Sequence, residues 1–212
     1  MKEAVEVVPD RKRASGAAAR REAIVSAALA EFSEKGFAAT RMDDVAKRAG
    51  VAKGTIYLNF TDKQALFEGI LQQVLSSAVD RIATERPEPD ENTGAFLRRV
   101  VVPILAGLPG SSRGEVIRLM ISEGARVPDL ASIYFRTVMA PGLAALQDLG
   151  GRATARGEAG GEVLARFPQL LFAPALVGIV WTSLFDRHLP LDVAGLVEAQ
   201  LDLIFPKDRS QL

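Results

Sequence analysis

Between Lys63 and about Thr84 the apolar residues Leu66, Phe67, Ile70, Leu71, Val74 and Leu75 follow a 3.6-residue period over some twenty positions. A single helix of that length is roughly 30 Å long at 1.5 Å per residue, enough to leave one small domain and enter a second. The chain on both sides shows helical spacing and no period-two alternation of a strand. We therefore expect an all-α fold of about nine helices: 20–35, a short one between Thr40 and Gly50, a second short one around Ile56 and Phe60, then 63–84, 93–108, 113–123, 127–149, 162–187 and 192–204.

The punctuation before the long helix is dense. Ile24, Ala28 and Phe32 recur every four residues and place one face of the first helix inward, and Gly36 supplies its stop. Thr40 has the chemistry of an N-cap, with Asp43 three residues later in the manner of a capping box. Val45, Ala46 and Ala49 give the next helix its inner face, Gly50 ends it, and Thr61 and Asp62 offer a cap for the long helix. RPEPDEN, residues 86–92, reads as a loop, and GGRATARGEAGG, residues 150–161, as a flexible connector. Residues 1–16 mix charges with Ala, Gly, Ser and Pro without an apolar period and read as a disordered arm, with Arg11, Lys12 and Arg13 as its basic cluster.

Composition removes most chemistry. With no cysteine and one histidine, His188, the chain lacks a thiol nucleophile, a disulfide framework and a zinc ligand set. We expect no catalytic residues, no metal site, no cofactor and no enzyme activity. The apolar run Leu170–Phe185 is 16 residues long and contains Pro174, short of the ~20 that cross a bilayer, so it is read as a buried helix and no membrane partner is expected. The first residues lack the apolar region of a secretory signal, which points to the cytoplasm. Net charge is zero, but residues 11–63 carry eleven Lys or Arg against six Asp or Glu, whereas residues 64–212 carry fourteen against seventeen. A basic head on an acidic body is the asymmetry expected when one end meets phosphates.

Two short helices joined by a turn at Gly50 and braced by a third describe either a helix-turn-helix or an ordinary helical hairpin. The outward residues decide between them. Lys53, Gly54, Thr55, Tyr57 and Asn59 offer a cation, a bare backbone, two hydroxyls and an amide where a solvated face would carry Glu and Lys. Gly54 costs about 1 kcal/mol against Ala in a helix, which makes sense where a backbone must approach another surface. The run TRMDDVAKRAGVAKGTIYLNFTDKQALF, residues 40–67, resembles the DNA-binding signature of the TetR family of bacterial regulators, and the likeness extends upstream through IVSAALAEFSEKGFAAT, residues 24–40. The resemblance implies that Thr40, Thr55, Tyr57 and Lys63 hold backbone phosphates while Arg41, Lys53, Gly54 and Asn59 face the major groove. Ala52 departs from the usual Ser cap, and Asn59 from the usual Tyr or His; Asn can pair bidentately with adenine. It further implies a DNA-binding domain at 17–63, a ligand-binding and dimerisation domain at 64–212, and a repressor whose partners are operator DNA, a second copy and a small apolar or amphipathic effector. A ligand-carrying helical dimer without DNA function is the alternative.

In the larger domain, Phe96, Val100, Ile104, Ile117, Met120, Phe135 and Met139 are the candidates for a ligand pocket, because soft Met and Phe side chains adapt to varied apolar molecules. Glu123 and Arg126 are either a surface pair or its polar anchor. The helix at 162–187 is apolar nearly all round and needs cover on every side. Leu176, Ile179, Val180 and Leu184, with Leu196 and Leu203 of the last helix, are the candidates for a dimer interface.

Overall fold

A computed structural model describes residues 11–206, and all regular structure among them is helical. Two compact units divide the chain between Gln73 and Val74, inside the long helix α4 (Lys63–Thr84) rather than at its start.

The first unit contains α1 (Arg11–Lys35), α2 (Met42–Arg48), α3 (Lys53–Asn59) and the first half of α4. Residues 11–16, expected to be disordered, are the first turns of α1. The strong helix formers Arg, Lys and Ala that surround Ser15 and Gly16 outweigh those two residues. Residues 1–10 of the expected arm lie outside the described part. Ile24, Ala28 and Phe32 are buried together with Val45, Ile56, Leu66 and Phe67. Gly36 turns the chain out of α1 at φ 79°, its N–H on the Phe32 carbonyl at 3.0 Å.

Thr40 is not the cap of α2. Arg41 holds that position in extended conformation, with no side-chain bond. The Thr40 hydroxyl is buried and turned back, shared between the carbonyls of Gly36 at 2.8 Å and Glu31 at 3.1 Å. The Gly36 carbonyl also accepts the Thr40 N–H at 3.3 Å, so this hydroxyl adds a second tie between Thr40 and the last turn of α1. Gly50, at φ 67°, closes α2: its N–H meets the Lys47 carbonyl at 3.3 Å and that of Val51 meets Ala46 at 3.0 Å, the paired bonds of a Schellman turn. Asp62 caps α4 as its chemistry suggested, accepting from the Ala65 N–H at 2.8 Å. The almost fully buried Glu31 is neutralised by Lys35 at 2.6 Å and Arg48 at 2.8 Å, which ties α1 to α2.

The second unit contains the rest of α4, then α5 (Thr93–Ala106), α6 (Ser112–Glu123), α7 (Pro128–Tyr134), a π-turn (Phe135–Met139), α8 (Ala140–Ala155), α9 (Gly161–Arg166), a 3₁₀ turn (Pro168–Leu171), α10 (Ala173–Phe185) and α11 (Val193–Ile204). Its core gathers Phe96, Leu97, Val100 and Val101 of α5 with Leu146, Leu149, Leu164, Ile179, Val197 and Leu201. Asn92, Ser111 and Asp192 each cap a helix through a side-chain oxygen.

Three expectations change here. The glycine-rich stretch is no flexible connector: α8 runs through Gly150 and Gly151, and α9 folds back on it. A Cβ on Gly150 would sit 2.4 Å from the Ala165 nitrogen, and one on Gly161 2.5 Å from the Thr154 nitrogen. These glycines allow two helix backbones to touch. The helix expected at 162–187 breaks into three pieces, because Pro168 and Pro174 each need a fresh start and Phe167 is held at φ −132° and ψ 61°. The apolar stretch Pro168–Phe185 has the length and hydropathy of a membrane span but is thus divided, and only 33% of it is buried. Finally, the helix expected at 127–149 widens into a π-turn where the Ala140 N–H reaches the Phe135 carbonyl. Pro141 follows at once; it has no N–H for the Thr137 carbonyl, and its ring would crowd that oxygen in a regular ladder.

Candidate functional site

The exposed face of α3 is built by burying Ile56 and holding Phe60 beneath it. The Phe60 ring rests where Gly69 of α4 lacks a side chain, since a Cβ there would lie 2.5 Å from the ring, and Arg21 covers the ring at 4.5 Å. Held in this way, α3 presents Lys53, Gly54, Tyr57, Leu58 and Asn59 outward, with Thr55 half-buried. Lys53 reaches across to Asp43 of α2 at 2.8 Å, and that hydrogen bond raises its pKa. Asn59 donates its amide to the Thr55 carbonyl at 2.8 Å. Nothing lies within 4 Å of where a Gly54 Cβ would stand, so the protein's own packing gives no reason for glycine there. Arg41 is exposed on the turn into α2.

Two residues proposed from the resemblance as phosphate holders are otherwise engaged. The Thr40 hydroxyl is buried on carbonyls, as described. Lys63 is half-buried and donates to the carbonyls of Phe37 at 2.8 Å and Ala38 at 3.0 Å, with its ammonium 4.9 Å from the centre of the Phe37 ring. It clasps the end of α1 to the start of α4. Leu58, in turn, was not singled out in the sequence although it is 88% exposed in the middle of this polar face. Its signal was an apolar residue off the Ile56–Phe60 register.

The second unit holds a cavity of about 290 Å³ lined by residues of α5, α6, α7, the π-turn and α10, together with Leu108 and Phe172. Of the seven residues proposed for it, Ile117, Met120 and Met139 line it. Phe96, Val100 and Ile104 are buried in the core instead, because the inner face of α5 packs against α11, and Phe135 is exposed on the outer side of the π-turn. Neither Glu123 nor Arg126 lines it. The one lining residue with a polar side chain is Tyr134, whose hydroxyl makes no hydrogen bond among the described residues and whose pKa is pushed up to about 12 by burial.

On α10, Leu176, Val177, Val180 (42% exposed), Leu184 (63% exposed) and Phe185 form an exposed apolar stripe, hollowed where Leu176, Val177, Val180, Trp181 and Phe185 meet. Leu203 of α11 is 80% exposed and Leu196 half-buried. Ile179 belongs to no outer face: it is fully buried in the core of its own unit. On a helix the neighbouring position points about 100° away, which separates Ile179 from Val180.

Residues 24–70 match the family model described as bacterial regulatory proteins, tetR family, and residues 89–200 match the tetracyclin repressor-like C-terminal domain. The chain is 38% identical over 115 residues to the uncharacterised HTH-type transcriptional regulator YdeS of Bacillus subtilis, an alignment covering 53% of this chain and 54% of YdeS. It is 42% identical over 64 residues to the HTH-type transcriptional regulator RutR of Escherichia coli, covering 30% of each. The alignments thus span about half of YdeS and under a third of RutR. Among solved structures, the triclosan complex of SmeT, the repressor of a Stenotrophomonas maltophilia multidrug efflux pump, superposes with a TM-score of 0.71 over 90% of this chain and 93% of SmeT, at 23% identity.

Proposed function

This chain belongs to the TetR family of bacterial regulatory proteins, and from that premise we propose that it is a transcriptional repressor that binds a palindromic operator as a dimer and leaves it when a small apolar molecule occupies the second unit. The observation that carries the DNA-binding part is the outward face of α3: a cation, an amide, a phenol and a glycine with no internal reason to be glycine. Docked in the major groove, α3 brings Gly54 against the DNA, Arg41 and Lys53 to phosphates or base edges, and Asn59 to a base, with Tyr57 and Thr55 on the flanking backbone. The Asp43–Lys53 pair and the Asn59–Thr55 bond are exposed and exchange for DNA contacts. Leu58 adds an apolar surface of the kind that meets a thymine methyl. Replacing Asn59 with Ala tests this reading: sequence preference among operator variants should change at one base pair per half-site. An unchanged preference would remove α3 from base reading.

The apolar stripe on α10 is the surface a second copy covers, since each head reads one half-site and the two must share a face of the DNA. SmeT binds triclosan, and here the cavity of about 290 Å³ stands ready for an effector at the small end of ligand-site sizes. Helix α4 belongs to both units, and its Ala78 packs in the same core as Leu105 and Leu108, which line the cavity. We propose α4 as the element through which a change at the cavity is felt by the head. A coupling of about 1–3 kcal/mol changes operator affinity about 5- to 150-fold, and operator must weaken effector binding by the same factor. Such a regulator works where the chromosome is, in the bacterial cytoplasm.

A further inference from the structure

The cavity's lining also specifies the chemistry of its occupant, given the reading of the second unit as an effector site. Leu105, Ile117, Met120, Met139 and Phe172 supply an apolar wall, and no charged side chain lines it. An anion seated against this wall would lose water without gaining a counter-charge, whereas a neutral apolar molecule gains wherever it meets the wall. Tyr134 is the exception in the wall, and the π-turn is what places it. Residues 134 and 139 are five apart, which puts them about 140° from each other around an α-helix of 3.6 residues per turn. An i→i+5 turn winds more slowly and returns them to nearly one side, and both in fact line the cavity. The widened turn ahead of Pro141 thus adds a phenol to the wall beside Met139.

We propose that the cavity selects compact, uncharged, largely apolar molecules of about two rings that carry one hydrogen-bonding group, and that Tyr134 is the residue that recognises this group and, with the uncharged wall, excludes carboxylates. The size follows from the volume, since an apolar cavity of about 150 Å³ takes benzene. Tyr134 is a neutral phenol at physiological pH, as its ordinary pKa of about 10 already requires and as burial, which pushes the value up to about 12, reinforces, so it can donate to or accept from the ligand.

Titration of the full chain with 1-naphthol, naphthalene and 1-naphthoate, without DNA, tests the assignment. Wild type should bind 1-naphthol about 3- to 10-fold more tightly than naphthalene, the worth of one net hydrogen bond, and should not bind 1-naphthoate. Tyr134→Phe should weaken 1-naphthol to the level of naphthalene and leave naphthalene unchanged. Met120→Trp, which fills the cavity, should abolish binding of both. The assignment is overturned by 1-naphthoate binding as tightly as 1-naphthol, by an advantage of 1-naphthol that survives Tyr134→Phe, by binding that survives Met120→Trp, or by no binding of 1-naphthol at its solubility limit. Repeating the titration on operator-bound protein separates the two claims. Discrimination that holds while operator affinity is unaffected contradicts the release mechanism and leaves the ligand class standing.

Discussion

Gly54 carries the sharpest prediction at the scale of single residues, because stability and function should move in opposite directions. Alanine meets nothing within 4 Å there and should stabilise α3 by up to about 1 kcal/mol, while its methyl holds the backbone away from DNA. Thermal melting and operator titration of Gly54→Ala should therefore show a higher Tm with affinity at least about tenfold weaker; equal affinity would leave the glycine unexplained. Thr40→Val should do the reverse, losing about 0.5–1.5 kcal/mol of stability as the buried hydroxyl's bonds to the Gly36 and Glu31 carbonyls go, with no change in the salt dependence of DNA binding. For Lys63→Ala we likewise expect a lower Tm, since two carbonyls and the Phe37 face lose their cation. The types of Thr40 and Lys63 were legible in the sequence but their direction was not. A hydroxyl or an ammonium suits a phosphate and a helix-end carbonyl equally well, and only the return of the α1 terminus toward Thr40 and Lys63 decides which it meets.

Among the elements, the helical hairpin of α8 and α9 is the most exacting. Gly150→Ala would press a methyl into the Ala165 backbone, which cannot yield as a side chain tip can, so urea unfolding should show a loss of about 1–3 kcal/mol. Gly151→Ala, with open space at its Cβ, should be neutral or slightly stabilising. The hairpin is also tied to α5 by Glu158. Burial alone would raise its pKa, but the Thr93 N–H at 2.8 Å and Arg156 at 2.6 Å hold it below the usual 4.5. Its contribution is therefore full above the unfolded-state pKa and lost as pH falls through the lower folded value. The stability gap between wild type and Glu158→Gln should be constant near neutrality and close below about pH 4.5; a gap that widened in acid would contradict the pairing. Periodicity made α4 and most of the helices readable, since burial repeats every 3.6 residues whatever the partner. It could not separate a glycine that loosens a chain from one that lets two helices touch, nor foresee that Pro141 would widen the turn before it. Both depend on what lies opposite.

At the scale of the whole molecule, the proposed pairing of an operator-reading head with a dimerising body can be probed at two neighbours on α10, Ile179 and Val180. Val180→Asp, on the exposed stripe, should yield folded monomers in sedimentation and weak operator binding. Ile179→Asp should instead unfold the second unit, because its side chain is fully buried in that unit's own core. The apolar character of this helix was visible in its composition, but which side faces inward was not, since a helix apolar all round has no pattern to reveal its orientation. Operator reading by a symmetric dimer is tested by selecting, with the full chain, bound duplexes from a random DNA library. The full chain should enrich one two-fold symmetric sequence, its half-sites about 10 bp or a multiple apart, and Asn59→Ala should shift the preferred base within each half-site. No enrichment over the starting library, or an enriched sequence without two-fold symmetry, would contradict it.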